Sequence, residues 1–144
     1  MTLVDANVLL YAVDRSSRHH RTAKAWLDGA PLRRETLGLP WVCVQAFVRI
    51  GTHPAIFPTP LTMLQALSIV EEWLSWPNVV IPRVGPDHVP VWKDVLLASR
   101  TAGNLVNDAH LAALGLQLDA RVATFDADFA RFAAVTSFRP DDPA

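Results

Sequence analysis

Three segments of the chain carry aspartates at positions where chemistry could be done. Asp5 follows a short apolar segment, Asp108 lies where an apolar helical segment begins, and Asp126 comes directly after the apolar stretch 121–125. Open α/β sheets place their chemistry at the carboxyl ends of parallel strands. A parallel sheet would therefore gather these three segments, together with Asp128, along one edge.

Carboxylates that meet in a half-buried cleft repel one another and raise each other's pKa values. A hard divalent cation offsets this repulsion, and Mg²⁺ or Mn²⁺ fits because each prefers oxygen ligands and retains several waters. Such an ion can accept a phosphate at an open position, polarise its oxygen and lower the pKa of an attacking water. The acidic segments therefore favour metal-assisted chemistry on a phosphate.

Each aspartate also has an ordinary structural interpretation. Asp5 could cap the helix that follows it, Asp108 could favour a helix N-terminus through the helix dipole, and Asp126 could form a turn. Asp108 fits a surface cap poorly, because its neighbours at helical spacing are apolar. Asn7 and Thr124 lie close to the acidic residues in sequence. Either could orient a carboxylate by a hydrogen bond.

Short apolar strands alternate with helices along the chain, which is typical of an α/β fold with right-handed crossovers. The predicted strands are 2–5, 37–39, 79–81, 121–125 and 135–138, and the predicted helices are 7–13, 19–27, 41–51, 61–76, 87–102 and 107–118. Gly103 is a plausible C-cap for the helix before it. We predict an α/β sandwich of three layers, with a central, mostly parallel sheet flanked by helices. It should form a single domain of residues 1–138, followed by a frayed tail, 139–144.

Composition restricts the function further. The 144 residues, 51% of them hydrophobic, can bury a core without a disulfide or a structural metal. The single cysteine, Cys43, has no partner, and no zinc-binding pattern is present. We find neither a signal sequence nor an apolar run of the roughly 20 residues that span a bilayer. We therefore expect a cytoplasmic protein that needs no membrane and no organic cofactor.

Three ordered motifs of the chain resemble those of PIN-domain proteins, most closely the VapC toxins. They are Val4–Tyr11, Gly103–Leu114 and Val122–Phe129, and the block Leu39–Ile50 resembles a mycobacterial-type subgroup. The resemblance covers nearly the whole chain and implies a PIN fold. It further implies an endoribonuclease that depends on Mg²⁺ or Mn²⁺ and acts as the toxin of a toxin–antitoxin pair. A homodimer that is inhibited by a VapB-like antitoxin is implied as well.

By position, the resemblance makes Asp5 and Asp108 metal ligands and lets Asp126 complete the catalytic set, with Asp128 as a weaker ligand. One position departs from the family pattern, because Ala46 stands where a Glu usually precedes Phe-x-Arg in the second helix. The missing carboxylate leaves the number of metal ions open. It also supports an alternative, a PIN-like domain that binds RNA or a partner with weak or no nuclease activity.

Arginines are the candidate contacts for RNA. Arg15, Arg18 and Arg21 recur at a spacing of three and could follow a phosphate backbone, although a solvated helix face is the default interpretation. Arg49 could meet a phosphate or a carboxylate. Arg outnumbers Lys in the whole chain, but a GC-rich genome would give the same excess.

Two other classes with a strand-end aspartate fit the sequence less well. A signalling receiver domain needs a lysine late in the sheet, and neither Lys24 nor Lys93 lies on a predicted strand. A haloacid-dehalogenase-type phosphatase needs Asp-x-Asp-x-Thr, whereas here Asn7 and Leu9 stand at the second and third of these positions.

Overall fold

The computed structural model of the chain describes residues 1–100 and 102–142, in which one parallel sheet lies between two layers of helices. The strands are β1 (Thr2–Val4), β2 (Leu37–Gly38), β3 (Val79–Val80), β4 (Arg121–Ala123) and β5 (Ser137–Phe138). The α-helices are α1 (Ala6–Val13), α2 (His20–Asp28), α3 (Trp41–Gly51), α4 (Met63–Ser75), α5 (His88–Ser99) and α6 (Val106–Gln117). Short 3-10 helices span Ala30–Leu32, Gly103–Leu105 and Ala127–Arg131. The strand order is β3-β2-β1-β4-β5 and every pairing is parallel, which confirms the predicted fold class.

The central strand β1 separates two apolar cores. Val4 belongs to a core built with residues of α1, α2, α3 and α4, whereas Leu3 belongs to a core built mainly with α5 and α6. Successive side chains of a strand point to opposite faces, so two neighbouring residues anchor both helical layers. Both side chains are completely buried.

The register of β1 and β4 brings two polar residues side by side. Val4 pairs with Ala123 at the carboxyl ends of these strands, and the backbone N–H of Asp5 donates to the carbonyl of Ala123 over 3.1 Å. The next residues of the two chain segments, Asp5 and Thr124, therefore meet just beyond the sheet. This is the edge at which the sequence predicts the acidic cluster.

Several element boundaries differ from the predictions. The helix α5 ends at Ser99, because Arg100 takes a left-handed conformation with φ of 52°. The predicted capping role of Gly103 is therefore wrong, and this residue, with φ of 62°, instead begins a 3-10 helix. The helix α4 begins at Met63 because Thr62 and Gln65 form a reciprocal capping box.

The segment after β5 forms a turn as far as the structure describes it. The backbone N–H of Arg139 donates to Oδ2 of Asp142 over 2.7 Å, and the N–H of Asp142 returns to the carbonyl of Arg139 over 2.9 Å. Arg139 and Asp142 of the predicted frayed tail are thus hydrogen bonded to each other, and its last two residues lie outside the described part. Among the described helices, none is both long and apolar enough to cross a membrane.

Candidate active site

Asp5 is a buried carboxylate in a fixed orientation. Its Oδ2 accepts hydrogen bonds from Oγ1 of Thr124 over 2.7 Å and from Nδ2 of Asn7 over 2.9 Å. Burial raises the pKa of Asp5, and the charge of Asp126 adds to the increase, whereas the hydrogen bonds of Thr124 and Asn7 oppose it. The carboxylate is therefore held in place by groups that favour its charged form, at a position where burial disfavours charge.

Asn7 and Thr124 connect the start of α1 to the segment after β4. Nδ2 of Asn7 also donates to Oγ1 of Thr124 over 3.0 Å, and Oδ1 of Asn7 accepts from the backbone N–H of Phe125 over 3.0 Å. The same hydroxyl of Thr124 accepts from the N–H of Asp126 over 3.1 Å. The two residues that the sequence suggested for orienting a carboxylate thus both contact Asp5 and also fix the chain that carries Asp126.

Asp108 faces Asp5 across a cleft of about 170 Å³. It lies in the first turn of α6 and is half-buried. Its pKa is raised to about 6, mainly because burial desolvates the carboxylate and then because of the charges of Asp5, Asp126 and Asp128. Arg131 lowers this pKa only weakly, as the smallest of these influences.

Among the described residues, none of those in the wall of this cleft carries a cationic side chain. The residues that line it are Asp5, Ala6, Val42, Cys43, Ala46, Asn104, Asn107, Asp108 and Leu111. Two carboxylates that face one space without a compensating charge are costly for a folded protein. The arrangement is therefore suited to an external cation, and amide side chains offer further oxygen ligands.

Asp126 and Asp128 stand outside this cleft and are exposed. Oδ1 of Asp126 accepts from the N–H of Asp128 over 2.8 Å, so the ordinary turn interpretation of Asp126 is also satisfied. Its charge nevertheless raises the pKa of both Asp5 and Asp108. In residues 1–100 and 102–142, no three His, Cys, Asp or Glu side chains lie close enough together to hold a metal ion by themselves.

The helix α3 contributes Ala46, whose position the family pattern already marked, and also Cys43, which sequence reasoning missed. Cys43 and Ala46 lie one helical turn apart and both line the cleft. Burial raises the pKa of the Cys43 thiol well above its usual value, and the charges of Asp5 and Asp108 raise it further. The thiol is thus neutral at physiological pH. The spacing of Cys43 from Ala46 was the signal that could have placed it here.

The four candidate arginines lie on different elements of the chain. Arg15 and Arg18 precede α2, and Arg21 lies in its first turn, so the three residues share no common helix face. All three are exposed, as is Arg49 on α3. Nε of Arg18 donates to the ring of His19 over 3.2 Å.

The chain is similar in sequence to a known protein family and to curated proteins. The family model of the PIN domain matches residues 2–135. Ribonuclease VapC37 of Mycobacterium tuberculosis is 42% identical to the chain over 140 residues, which is 97% of each sequence. Ribonuclease VapC33 of the same species is 38% identical over 133 residues, covering 92% of this chain and 93% of its own length.

Solved structures show the same fold at lower sequence identity. VapBC2 from Rickettsia felis, bound to a DNA fragment from its promoter, matches with a TM-score of 0.70 at 14% identity. That match covers 96% of this chain and 97% of the other one. FitAcB from Neisseria gonorrhoeae matches with a TM-score of 0.67 at 23% identity, covering 97% and 98% of the two chains.

Proposed function

Because this chain belongs to the PIN-domain family, and within it to the VapC group of its mycobacterial relatives, we propose that it is an endoribonuclease that acts as the toxin of a toxin–antitoxin pair. The reaction would be hydrolysis of an RNA phosphodiester bond, carried out by one domain of residues 1–138 in the cytoplasm. The observation that supports this function best is the cleft in which Asp5 and Asp108 face each other with no cationic side chain among the described residues of its wall.

The residues of the cleft fit Mg²⁺ or Mn²⁺. Asp5 and Asp108 would hold the ion, because they are the two carboxylates in the cleft wall, and Asn104 and Asn107, which also line the cleft, would offer amide oxygens. Asp126 and Asp128 would add negative charge from the edge of the cleft. A bound ion would polarise the phosphate and lower the pKa of the attacking water.

The protein's own residues would prepare the site for this chemistry. The hydroxyl of Thr124 and the amide of Asn7 keep Oδ2 of Asp5 occupied, so the carboxylate cannot rotate freely. Oriented ligands of this kind bind a metal more tightly than mobile ones, and loss of the orienting group typically reduces metal affinity or activity by about 10- to 100-fold. Asn7 and Thr124 are thus proposed as positioning residues.

The proposed partners are an RNA substrate, a VapB-like antitoxin and a second copy of the chain. Ribonuclease is the name of the curated relatives, and VapBC assemblies are among the structures that share the fold. Apolar side chains on the outer face of α4 are exposed, with Leu64 at 76% and Met63 at 56%. Exposed apolar side chains of this kind offer a surface that a partner protein can cover.

Metal removal tests the proposed function. We expect the purified protein to cleave RNA in Mg²⁺ or Mn²⁺, to stop cutting when EDTA is added, and to resume when excess metal is restored. Cleavage followed on a gel with a set of structured and single-stranded RNAs provides the measurement. A protein that binds these RNAs but cuts none of them would support the alternative, a PIN-like binding domain with little or no nuclease activity because of Ala46.

Restoring a carboxylate on α3 tests the consequence of Ala46. The variant Ala46→Glu places an acid in the wall of the cleft, and we expect its affinity for Mn²⁺, measured by calorimetry, to rise about tenfold because one more anionic ligand is available. The matched control Ala46→Gln has the same size without the charge and should bind Mn²⁺ much as the wild type does. Identical titrations of the Glu variant and the wild type would contradict the idea that a missing ligand limits metal binding.

A further inference from the structure

A cluster of aromatic rings lies beside the acidic cleft. The ring of His19 stacks on the ring of Phe125, with centroids 4.6 Å apart and planes inclined by 28°. Tyr11 of α1 contacts both rings, with centroid distances of 5.2 Å to His19 and 5.4 Å to Phe125. Phe125 is buried beneath the cluster, whereas His19 is partly exposed. The outermost ring of the stack is therefore that of His19.

Two guanidinium groups flank these rings. Nε of Arg18 donates to Nε2 of His19 over 3.2 Å, and the guanidinium of Arg139 lies 5.4 Å from the centroid of Phe125. Arg139 is held there by Asp141, to which its Nε and Nη2 donate over 2.9 and 3.1 Å. Arg18 remains exposed. The rings are therefore flanked by two guanidinium groups, of which that of Arg139 is already paired with a carboxylate.

Charged groups around the cluster affect the protonation of His19. The pKa of His19 is lowered, first by partial burial and then by the charges of Arg18 and Arg139, although Asp141 opposes the decrease. His19 is consequently neutral at physiological pH, with Nε2 occupied as an acceptor. Arg18 on His19 and Arg139 over Phe125 are both close enough to lower this pKa; Asp141 already offsets the charge of Arg139, whereas the exposed Arg18 can still attract an anion.

The cluster is continuous with the acidic site. The backbone N–H of Phe125 donates to Oδ1 of Asn7, and Nδ2 of the same Asn7 donates to Asp5. Asp126, whose charge reaches both carboxylates of the cleft, follows Phe125 directly. The carboxylates therefore lie on one side of the carboxyl end of β4, and the aromatic rings and arginines lie on the neighbouring side.

We propose that His19, stacked on Phe125 and flanked by Arg18 and Arg139, binds an unpaired nucleotide of the RNA next to the phosphate that is cleaved. The base stacks on the exposed face of His19, and the two guanidinium groups contact the phosphate of that nucleotide. Aromatic rings and arginines together are the usual means of holding single-stranded RNA, and stacking accepts any base. This assignment rests on the proposed ribonuclease function and adds to it a requirement for an unpaired nucleotide at one side of the cut.

Binding of a short RNA without cleavage tests the assignment. The probe is a fluorescent oligouridine of about twelve nucleotides, and its anisotropy is measured in EDTA with protein that carries Asp5→Asn. We expect His19→Ala in this background to weaken binding about tenfold, whereas His19→Phe, which keeps a ring, should stay within about twofold. Arg18→Ala and Arg139→Ala should each reduce the slope of log Kd against log salt by about 0.7, because each variant binds one phosphate fewer.

A matched control and a second probe make the outcomes distinct. Arg34→Ala removes an exposed arginine that precedes β2, at the opposite edge of the sheet, and should leave oligouridine binding unchanged. A duplex RNA of equal length should bind the wild-type and His19→Ala proteins alike. If His19→Ala binds oligouridine as tightly as its parent while wild-type protein still cleaves RNA, the nucleotide site is overturned and the ribonuclease function stands. If wild-type protein neither binds nor cleaves RNA, both are overturned.

Discussion

Replacement of Asp5 by Asn is expected to reduce RNA cleavage by about 100-fold or more, the range seen when a group that stabilises charge in a transition state is lost. Asp5 is one of two carboxylates that face the cleft, and the amide of Asn carries no charge with which to hold a cation. The single-turnover rate of cleavage at saturating Mn²⁺ is the quantity to measure. A variant that cuts as fast as the wild type would contradict the assignment of Asp5.

The Asp5→Asn protein should remain folded, so its loss of RNA cleavage can be attributed to the chemical step. The amide oxygen of Asn can still accept the hydrogen bonds from Thr124 and Asn7, which both reach the same oxygen in the wild type. Burial raises the pKa of Asp5, so removing its charge removes a desolvation cost as well. Thermal unfolding followed by circular dichroism reports on this point.

A matched control is available at the opposite edge of the sheet. Asp119 is exposed, precedes β4, and has a left-handed backbone with φ of 48°. Asn accepts that conformation readily, so Asp119→Asn makes the same chemical change without strain. We expect cleavage by this variant to equal that of the wild type, and a comparable loss in both variants would mean that the effect of Asp5→Asn is not specific to the cleft.

The position of Asp5 was predictable from the sequence because one rule of sheet geometry determines it. Parallel strands align their carboxyl ends, so residues that follow β1 and β4 must lie at one edge. The contact between Asp5 and Thr124 needs only this register. The alternation of strands and helices likewise predicted the layers, because a parallel sheet needs both faces covered.

The remaining wall of the cleft depends on packing between distant parts of the chain. The family pattern marks position 46, and a spacing of three residues then points to Cys43, but the sequence of α3 alone does not show that this face lines the same cleft as Asp108. The stack of His19 on Phe125 is of the same kind, since the two residues are far apart in sequence. Element ends also escaped prediction where a single backbone conformation decided them, as at Arg100.

The acidic cleft should make the metal-free protein less stable at neutral pH, and Asp108→Asn should reverse that effect. The pKa of Asp108 is raised from 3.8 to about 6, so the folded state binds its proton more tightly than the unfolded state does. For a carboxylate with a raised pKa, stability falls as pH rises from about 4 to about 6 and stays low above that range. The metal-free wild type should follow this course, and the variant should not.

The gain in stability that we expect for Asp108→Asn is modest, because Asp108 is only half-buried. A shift of about two pKa units corresponds to about 3 kcal/mol, and solvent screening reduces this to about 1 kcal/mol for a half-exposed group. In EDTA at a pH of about 8, we therefore expect Asp108→Asn to unfold about 3 °C above the wild type. At a pH of about 4, where Asp108 of the folded protein is protonated, the two melting temperatures should agree.

The Asp108→Asn variant also distinguishes a carboxylate that binds a metal from one that only supports the fold. Excess Mg²⁺ at a pH of about 8 should raise the melting temperature of the wild type, because an ion that binds only the folded state stabilises it. Asp108→Asn should lose most of this increase and should lose RNA cleavage, although it is the more stable protein without metal. A residue that supported only the fold would show the opposite behaviour, with lower stability after substitution. A variant that melts below the wild type in EDTA at this pH would therefore contradict the role of Asp108 as an uncompensated charge kept for binding a cation.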